Sequence, residues 1–293
     1  NGAPSITSMT LPAWDVGLPY SQPIIASGGT PPLTWSPMGE LPTGLDLNAL
    51  TGAISGVPSA VGGFGFAIQV RDANNATANR PVSIIINPAP FILTGSLPSG
   101  EAGFSYSSVV AGSGGTPPYT WSLARPGLPP GLTLDTSTGA ITGTPSASGT
   151  FSFTVQLADA VGGRALQPLS IVIFAPPSVT TTSVPNGTAT FAYPATALAQ
   201  AGGTPPYTWS LAAGSGPLPP GLTLSAGGAL SGTPTAAGTF SFSVQLSDVR
   251  GATASRGLSI DIATAPAVST SALPGGTATF AYPATALAQA GGT

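Results

Sequence analysis

The chain has 293 residues, of which 42% are hydrophobic and only 5% are charged, with a formal net charge of −3. It contains no cysteine, histidine or lysine, which excludes disulfides, serine–histidine triads, cysteine or lysine nucleophiles and metal sites built from histidine or cysteine. The six arginines are not clustered, so a phosphate-binding surface is not expected and nucleic acid is excluded as a partner.

A motif of nine residues recurs along the chain and defines its organisation. It reads GGTPPLTWS at Gly28–Ser36 and GGTPPYTWS at Gly114–Ser122 and Gly202–Ser210, so the copies begin about 90 residues apart. Short segments containing proline follow each unit and mark boundaries where neighbouring units are joined end to end. We therefore predict three complete repeats at residues 1–88, 89–175 and 176–264, and the first strands of a fourth at 265–293.

The second repeat shows the predicted elements in chain order. Short apolar segments alternate with Gly-Gly, Pro-Pro and Thr-Gly turns, and large apolar residues at every second position of Phe151–Leu157 indicate a strand with one buried face. About seven short strands in so few residues predict an antiparallel β-sandwich. The predicted strands are Phe91–Thr94, Tyr106–Ala111, Tyr119–Leu123, Leu132–Leu134, Ala140–Thr142, Phe151–Ala158 and Leu166–Ile173.

The core of each sandwich is predicted from residues that keep the same register in all repeats. One tryptophan lies in the third strand and one phenylalanine in the long alternating strand, and a sandwich core about 10 Å thick is filled by large side chains from both sheets. The predicted core residues are Trp35, Trp121, Trp209, Phe66, Phe153 and Phe242.

The repeat resembles the immunoglobulin-like repeat family of large bacterial and archaeal surface proteins, which is related to dystroglycan-type, cadherin-like modules. In the second copy the resemblance is carried by the segments Gly114–Trp121, Leu128–Leu132, Gly139–Pro145 and Phe151–Val155. It implies an all-β fold of tandem immunoglobulin-like sandwiches. It also implies an extracellular spacer or adhesive segment that has no active site common to the family.

The last part of the chain repeats an earlier segment. Residues 276–293 have the same eighteen letters as residues 187–204. A sandwich does not form from its first strands alone, so Phe280, Tyr282 and Leu287 are expected to lack a partner sheet. Either the sequence is a slice of a longer repetitive polypeptide, or this segment is donated to a neighbouring molecule as an added strand.

Three aspartates share one register, directly after the long strand of each repeat: Asp72, Asp159 and Asp248. We interpret them as side chains that bind backbone amides and fix a hairpin turn. Calcium at the domain junctions is the alternative, but calcium prefers several carboxylates, and each repeat offers one in this register. No cofactor is predicted apart from this possible calcium.

The other charged residues give no pattern of a catalytic site. Arg80 and Arg256 follow an aspartate by eight residues, which predicts cross-strand Asp–Arg pairs of little energetic weight, and Arg164 lies near the equivalent position of the second copy. Five acids are interpreted as having no acidic counterpart in the other repeats, so paired carboxylates for catalysis are not predicted: Asp15, Glu40, Glu101, Asp135 and Asp261.

Three further residues carry separate expectations. Trp14 lies outside the repeat register and has no predicted place in the core, so it is interpreted as a domain-junction contact, with a glycan-stacking surface as the alternative. Asn75 and Asn186 each begin an Asn-x-Thr triplet, the pattern of N-glycosylation.

The sequence as a whole predicts a structural, non-catalytic segment of an extracellular filament or surface fibre that associates with copies of itself. Its nearly uncharged surface lacks the repulsion that keeps proteins apart. The alternative is the stalk or ligand-binding region of a cell-surface adhesin, with glycans or cell surfaces as partners. No apolar run is long enough to span a membrane, so membrane insertion of this segment is not predicted.

Overall fold

The structure is a computed structural model that describes residues 2–8, 10–282 and 284–291. The described residues form β-strands and no helices, as the all-β prediction expects. Internal contacts divide the chain into two compact units. The first comprises the chain up to Gly100 together with Phe104–Ile173, and the second comprises Glu101–Gly103 together with the chain from Phe174 onward.

The described residues of the first repeat form nine strands. They are β1 (Ser5–Ile6), β2 (Trp14–Asp15), β3 (Tyr20–Pro23), β4 (Ala26–Ser27), β5 (Thr34–Met38), β6 (Leu45–Leu47), β7 (Ala53–Gly56), β8 (Gly62–Arg71) and β9 (Thr77–Asn87). A four-stranded sheet has the order β2-β9-β8-β5, and a three-stranded sheet has the order β3-β7-β6. The two-residue strands β1 and β4 form a separate pair.

The second repeat has the same arrangement. Its strands are β10 (Phe91–Ile92), β11 (Gly100–Glu101), β12 (Tyr106–Val109), β13 (Gly112–Ser113), β14 (Thr120–Arg125), β15 (Leu132–Leu134), β16 (Ala140–Gly143), β17 (Gly149–Ala158) and β18 (Arg164–Phe174). The sheets have the orders β11-β18-β17-β14, β12-β16-β15 and β10-β13. The same architecture therefore forms in two repeats whose sequences differ at many surface positions.

The third repeat repeats the pattern, and two short strands follow it. The strands are β19 (Ser178–Val179), β20 (Gly187–Thr188), β21 (Tyr193–Ala197), β22 (Gln200–Ala201), β23 (Thr208–Leu211), β24 (Leu222–Leu224), β25 (Ala229–Gly232), β26 (Gly238–Ser247), β27 (Thr253–Ala263), β28 (Ala267–Val268) and β29 (Gln289–Ala290). The sheet orders are β20-β27-β26-β23, β21-β25-β24 and β19-β22. Strands β28 and β29 pair with each other.

The strand boundaries differ from the sequence prediction at several ends. The predicted strand Tyr119–Leu123 is shifted to β14, and the strand predicted to end at Ala111 ends at Val109. The pairing of β17 with β18 runs from Gly149 opposite Ile173 to Ala158 opposite Arg164. Strands β17 and β18 therefore stay paired beyond the alternating apolar residues from which they were predicted. The two-residue strands β11 and β13 are too short to show any alternation.

The sandwiches are antiparallel except for one short edge strand. Trp14 on β2 lies opposite Ile86 on β9 in a parallel pair, and Gly187 on β20 lies opposite Ile262 on β27 in the same way. These short strands come early in their repeats and lie beside the last strand of the same repeat. The edge position of β2 and β20 therefore places residues from the beginning and the end of one repeat side by side.

The buried face of each sandwich contains the residues of the repeat register. Trp35, Trp121 and Trp209 are at most 7% exposed, and Phe66, Phe153 and Phe242 are also buried. Each tryptophan ring packs on a glycine in the turn between two strands of the smaller sheet. A methyl group at Gly52 would lie 2.6 Å from Cε2 of Trp35. This contact and the positive φ of the residue explain why glycine precedes the Ala-Ile or Ala-Leu pair in every repeat.

Candidate functional site at the aspartate turns

The three aspartates in equal register each hold a five-residue turn after the long strand of a repeat. These turns are Asp72–Ala76, Asp159–Gly163 and Asp248–Ala252, and we call them the aspartate turns. In the first, Oδ1 of Asp72 accepts the backbone N–H groups of Asn74 and Ala76 at 3.0 and 2.8 Å. The side chain thus satisfies amides that the tight turn leaves without a backbone partner.

The second carboxylate oxygen of each aspartate binds the loop that carries the Gly-Gly-Thr-Pro-Pro motif. Oδ2 of Asp72, Asp159 and Asp248 accepts the N–H of Thr30, Thr116 and Thr204 respectively, each at 2.9 Å. The peptide bond between the two prolines of this loop is cis in all three repeats. Each aspartate, which the sequence analysis interprets as a hairpin residue, therefore also connects its own turn to the Gly-Gly-Thr-Pro-Pro loop.

The hydrogen bonds favour the ionised form of these aspartates. The N–H of Thr30 is the largest influence on Asp72, and with the other two amides it holds the pKa of that carboxyl below its usual range. Burial alone would raise the pKa of Asp159 and Asp248, but the hydrogen bonds that their carboxylates accept lower it overall. These aspartates are structural anions.

A second acid is buried beside the aspartate turn of the second repeat. Asp15 on β2 of the first repeat is fully buried, and its Oδ1 accepts a hydrogen bond from the Thr116 hydroxyl at 2.7 Å. Asn87 donates from Nδ2 to the same threonine oxygen at 2.9 Å. Burial, with the neighbouring Asp159, raises the pKa of Asp15 to about 6.

The second unit contains the same arrangement with a glutamate. Glu101 is 1% exposed, and its Oε2 accepts the hydroxyl proton of Thr204 at 2.8 Å. Burial raises the pKa of Glu101, and Asp248 raises it further, whereas Arg250 acts in the opposite direction. Each of these two aspartate turns is therefore accompanied by a threonine hydroxyl and a buried acid.

Asp15 and Glu101 are counterparts of each other, which corrects the interpretation that they have no acidic equivalent. Both lie on the edge strand of a four-stranded sheet, and the next residue in each case donates its N–H to a carbonyl at the end of the last strand. Thr188 occupies the same position in the third repeat. The repeat spacing of about 90 residues would align these three positions, but the residue changes from Asp15 to Glu101 to Thr188, so the sequence analysis did not recognise them as equivalent.

The predicted Asp–Arg pairs are wrong. Arg80 and Arg256 donate from Nη1 to the carbonyl oxygens of Ile6 and Val179, both at 3.3 Å. The oxygens of Asp72 and Asp248 instead accept backbone N–H groups of their own turns and of the Gly-Gly-Thr-Pro-Pro loop. The aspartate and the arginine lie close together in the hairpin, but the backbone amides of the tight turn already occupy the carboxylate. The long arginine side chain reaches instead to the first strand of its repeat.

Trp14 does not lie on an open surface. It is half-buried and packs against the core of the first repeat, where its ring meets Tyr20 edge to face at a centroid distance of 5.5 Å. The structure thus gives Trp14 a packing role in the first repeat, and a contact at the domain junction stays a prediction. The position on β2, next to buried Asp15, explains why it lies outside the tryptophan register of the repeats.

The candidate glycosylation residues lie at accessible positions. Asn75 and Asn186 are exposed, and Asn75 adopts a φ of 66° inside the first aspartate turn, where its Oδ1 accepts a hydrogen bond from Arg71. The amide oxygen of Asn186 accepts the N–H of Asp261 at 3.3 Å. Glycosylation at these two asparagines stays a prediction.

The segment after the third repeat is exposed, but not all of its apolar residues differ from their counterparts. Tyr282 and Leu287 are 48% and 63% exposed, whereas the equivalent Tyr193 and Leu198 belong to the core of the third repeat. Phe280 is 79% exposed, and its counterpart Phe191 is also exposed within a complete repeat. Phe280 therefore occupies a position that is exposed even in a complete repeat, whereas Tyr282, Leu287 and Ala278 lack the burial of their counterparts in the third repeat.

The described residues contain neither a cluster of metal-binding side chains nor a helix that could span a membrane. Within residues 2–8, 10–282 and 284–291, no three acidic side chains come together in a way that could hold a metal ion. In the same residues, no helix has the length and apolar character needed to cross a membrane.

Structural comparison finds multidomain proteins with low sequence identity. The I-band fragment of titin matches with a TM-score of 0.40 and 14% identity over 89% of this chain and 99% of its own. A mouse cadherin-23 fragment has a TM-score of 0.32 and 15% identity, covering 90% and 100% of the two chains. The human desmocollin-1 ectodomain has a TM-score of 0.39 and 13% identity, covering 89% and 62%. At these scores and identities the similarities indicate no function for this chain.

Family comparison by sequence is more informative. Among curated proteins, no sequence matches the chain. The family model described as "Putative Ig domain" matches three times, at residues 3–87, 89–174 and 171–263, and these matches span the three sandwiches with their aspartate turns. The chain therefore belongs to this family of immunoglobulin-like domains and contains three of them in tandem.

Proposed function

We propose that the chain is a structural segment of an extracellular filament or surface fibre, and that copies of it associate with one another. The observation that carries the proposal is that most of the acidic side chains of the repeats accept hydrogen bonds from the chain itself. Asp72, Asp159 and Asp248 each accept three backbone N–H groups, as described above. Asp135 accepts hydrogen bonds from Ser137 and Thr138, and Asp261 accepts one from Thr239.

This use of carboxylates favours a scaffold over a catalyst. A carboxyl group that acts as a general acid or base must be free to exchange protons with a substrate. The hydrogen bonds around Asp135 instead lower its pKa, the Ser137 hydroxyl being the largest influence. The chain also has none of the histidine, cysteine or lysine side chains that most catalytic mechanisms use. We propose no enzymatic activity for this segment.

Association between copies is supported by apolar side chains on a surface with few charges. Leu50, Ile85, Leu166 and Val249 are each more than half exposed, and only 15 residues of the chain are Asp, Glu or Arg. Tyr282 and Leu287 add two apolar side chains whose counterparts are buried. Full burial of such a side chain contributes about 1.5–3 kcal/mol, so contact of this segment with another copy is favourable.

The test is the association state of the chain and of matched variants. We expect sedimentation velocity to show association that increases with concentration, and electron microscopy to show filaments with an axial repeat. The double variant Tyr282→Ala/Leu287→Ala is expected to weaken association, whereas Phe280→Ala is the control, because Phe191 is exposed in a complete repeat as well. Monomers at every concentration, or equal association of all three proteins, would contradict the proposed role of this segment.

A further inference from the structure

The contact between the first and second repeats contains a carboxyl oxygen with no apparent partner. Asp15 is fully buried, and its Oδ1 binds the Thr116 hydroxyl, but its Oδ2 has no hydrogen-bond partner among the described residues. A buried charged oxygen without a partner is costly. A proton bound to this oxygen, or a cation beside it, would remove that cost.

The unpartnered oxygen of Asp15 borders the same small space as Asp159. A methyl group at Gly163 would lie 2.7 Å from Oδ2 of Asp15 and 2.7 Å from Oδ2 of Asp159. Two carboxylates that close together in a buried site do not both ionise readily. The glycine hydrogen leaves room for the two oxygens to approach each other.

The other groups around Asp15 supply no positive charge. The last strand contributes the neutral amide of Asn87, the motif loop contributes Thr116, and the linker contributes Pro90 beside Gly163. The aspartate turn contributes Asp159, and Arg164, which follows that turn, is exposed. Asp159 is thus the titratable group that acts on Asp15.

We propose that Asp15 and Asp159 share one proton, and that this carboxyl–carboxylate pair is a pH-sensitive contact between the first and second repeats. The proton resides on Oδ2 of Asp15, which donates to Oδ2 of Asp159. Asp159 remains the anion because it already accepts the N–H groups of Thr116, Val161 and Gly163 at 2.9, 3.1 and 2.7 Å. Loss of the shared proton leaves two negative charges inside the contact and weakens it.

A calcium ion fits this place less well than a proton. Calcium takes six to eight oxygen ligands, and the described residues bring only two acids together here. Both oxygens of Asp159 accept backbone N–H groups, and Asp15 is sealed from the water that would complete a coordination shell. The proton satisfies the unpartnered oxygen without any further ligand.

The second unit contains an independent occurrence of the same pair. Oε1 of buried Glu101 also has no hydrogen-bond partner among the described residues, and the carboxylate of Asp248 influences its pKa. The residue in the position of Gly163 is Ala252, which donates its N–H to Asp248 at 2.9 Å. The longer acid thus accompanies the bulkier residue, and the shorter acid accompanies glycine, so that both turns accommodate a carboxyl partner.

The direction of the pH effect follows from the two pKa values. The pKa of Asp15 is raised from 3.8 to about 6 in the folded protein, so its contribution to stability is present below about 4 and is lost as the pH rises through about 6. The pKa of Asp159 is lowered, so its contribution is present above about 4 and is lost as the pH falls through the lowered value. The shared proton is therefore held in weakly acidic solution and is released near neutral pH.

The experiment is a pH titration of the full chain by NMR, with carbon-13 in the aspartate and glutamate carboxyl groups. The Asp15 signal is identified by its absence in Asp15→Asn and is expected to titrate near pH 6, with the amide signals of Thr116 and Gly163 moving at the same midpoint. The chain has only two glutamates, so Glu101 can be followed beside exposed Glu40. A midpoint for Asp15 near about 4, the ordinary range of an aspartate, would overturn the proposal.

Two variants and one ion complete the test. Asp15→Asn keeps a donor opposite Asp159, so the Thr116 and Gly163 signals are expected to stay in their acidic position up to pH 8 or so. Gly163→Ala is expected to disturb the pair, and Gly163→Ala/Asp15→Glu, which copies the residues of the second unit, is expected to restore the raised midpoint. If millimolar calcium moves the Thr116 and Gly163 signals at neutral pH in the wild-type chain, the site binds a cation and the proton model is wrong.

Discussion

The tryptophan of each repeat shows how a single side chain organises a sandwich. Trp121 is 3% exposed and contacts the turn at Gly139, where a methyl group would lie 2.9 Å from Cε2 of the indole ring. Its backbone N–H donates to Thr136 in the same turn at 2.8 Å. The residue therefore connects the larger sheet to the turn of the smaller sheet through both its side chain and its backbone.

Replacement of this side chain is expected to destabilise one repeat selectively. Trp121→Ala should lower the free energy of unfolding of the second repeat by about 3–5 kcal/mol, because it removes a large buried ring and leaves a cavity. Differential scanning calorimetry of the full chain measures this as a downward shift of one transition. The matched control is Leu166→Ala, whose side chain is 60% exposed and should change stability by no more than about 0.5 kcal/mol. An unchanged calorimetric trace for Trp121→Ala would contradict the core position.

The sequence predicted the structural role of residues that recur in every repeat, but not that of residues that change between repeats. The aspartates were predicted to bind turn amides because they recur in one register, and each accepts two turn amides and one amide of the Gly-Gly-Thr-Pro-Pro loop. Asp15 and Glu101 were missed because their environment depends on a loop more than 100 residues away in each case. Burial and shared protons arise from such distant contacts, and sequence periodicity does not report them.

At the scale of elements, the smaller sheet depends on a close approach between two backbones. Gly131 has a φ of +93°, and a methyl group there would lie 2.1 Å from the carbonyl oxygen of Thr144. The same contact occurs at Gly44 and Gly221. The Pro-Gly-Leu segment at Gly131 and the Gly-x-Pro segment at Thr144 therefore touch each other, a contact that the sequence alone does not show.

Gly131→Ala tests this close approach, and Gly162→Ala is its matched control. Both glycines belong to the second repeat and have a left-handed φ, +93° and +96°, but nothing lies within 4 Å of a methyl group at Gly162. The control should cost about 1 kcal/mol of stability from backbone strain alone. Gly131→Ala should cost more by at least about 1 kcal/mol, because the backbones must also move apart. Equal losses in urea unfolding would show that the close approach is not important.

The elements themselves were predicted with different success. The long strands β17 and β18 follow from their alternating apolar residues, and the structure extends each of them by two residues or fewer at either end. The edge strand β11 was not predicted, because two residues carry no period and its pairing is decided by the last strand of the sheet. Alternation thus predicts strands that cover a core, and it does not predict short strands at an edge.

At the scale of the whole molecule, stability rests on packing and hydrogen bonds more than on charge. Only 5% of the residues are charged, and the carboxylates of the aspartate turns bind backbone amides. A molecule of this kind responds to solvents that alter hydrophobic burial more than to solvents that screen charges.

A comparison of two salts is expected to separate these effects. At neutral pH, raising sodium chloride to about 0.5 M should move the midpoint of thermal unfolding by no more than about 2 °C, because there are few ion pairs to screen. Ammonium sulfate at equal ionic strength should raise the midpoint clearly, because sulfate strengthens the burial of apolar surface. A large response to chloride would reveal a charge network that contributes to stability, contrary to this expectation.

The exposed copy of residues 187–204 has a consequence for how the third repeat folds. Strands β20, β21 and β22 come from this segment, and the identical letters at 276–293 specify the same strands equally well. During folding, strands β25 and β27 therefore meet two chemically indistinguishable candidates, one before them in the chain and one after. Because the preceding copy is made first during synthesis, it gains its place by timing, whereas refolding from denaturant allows the two copies to compete and to exchange between neighbouring molecules.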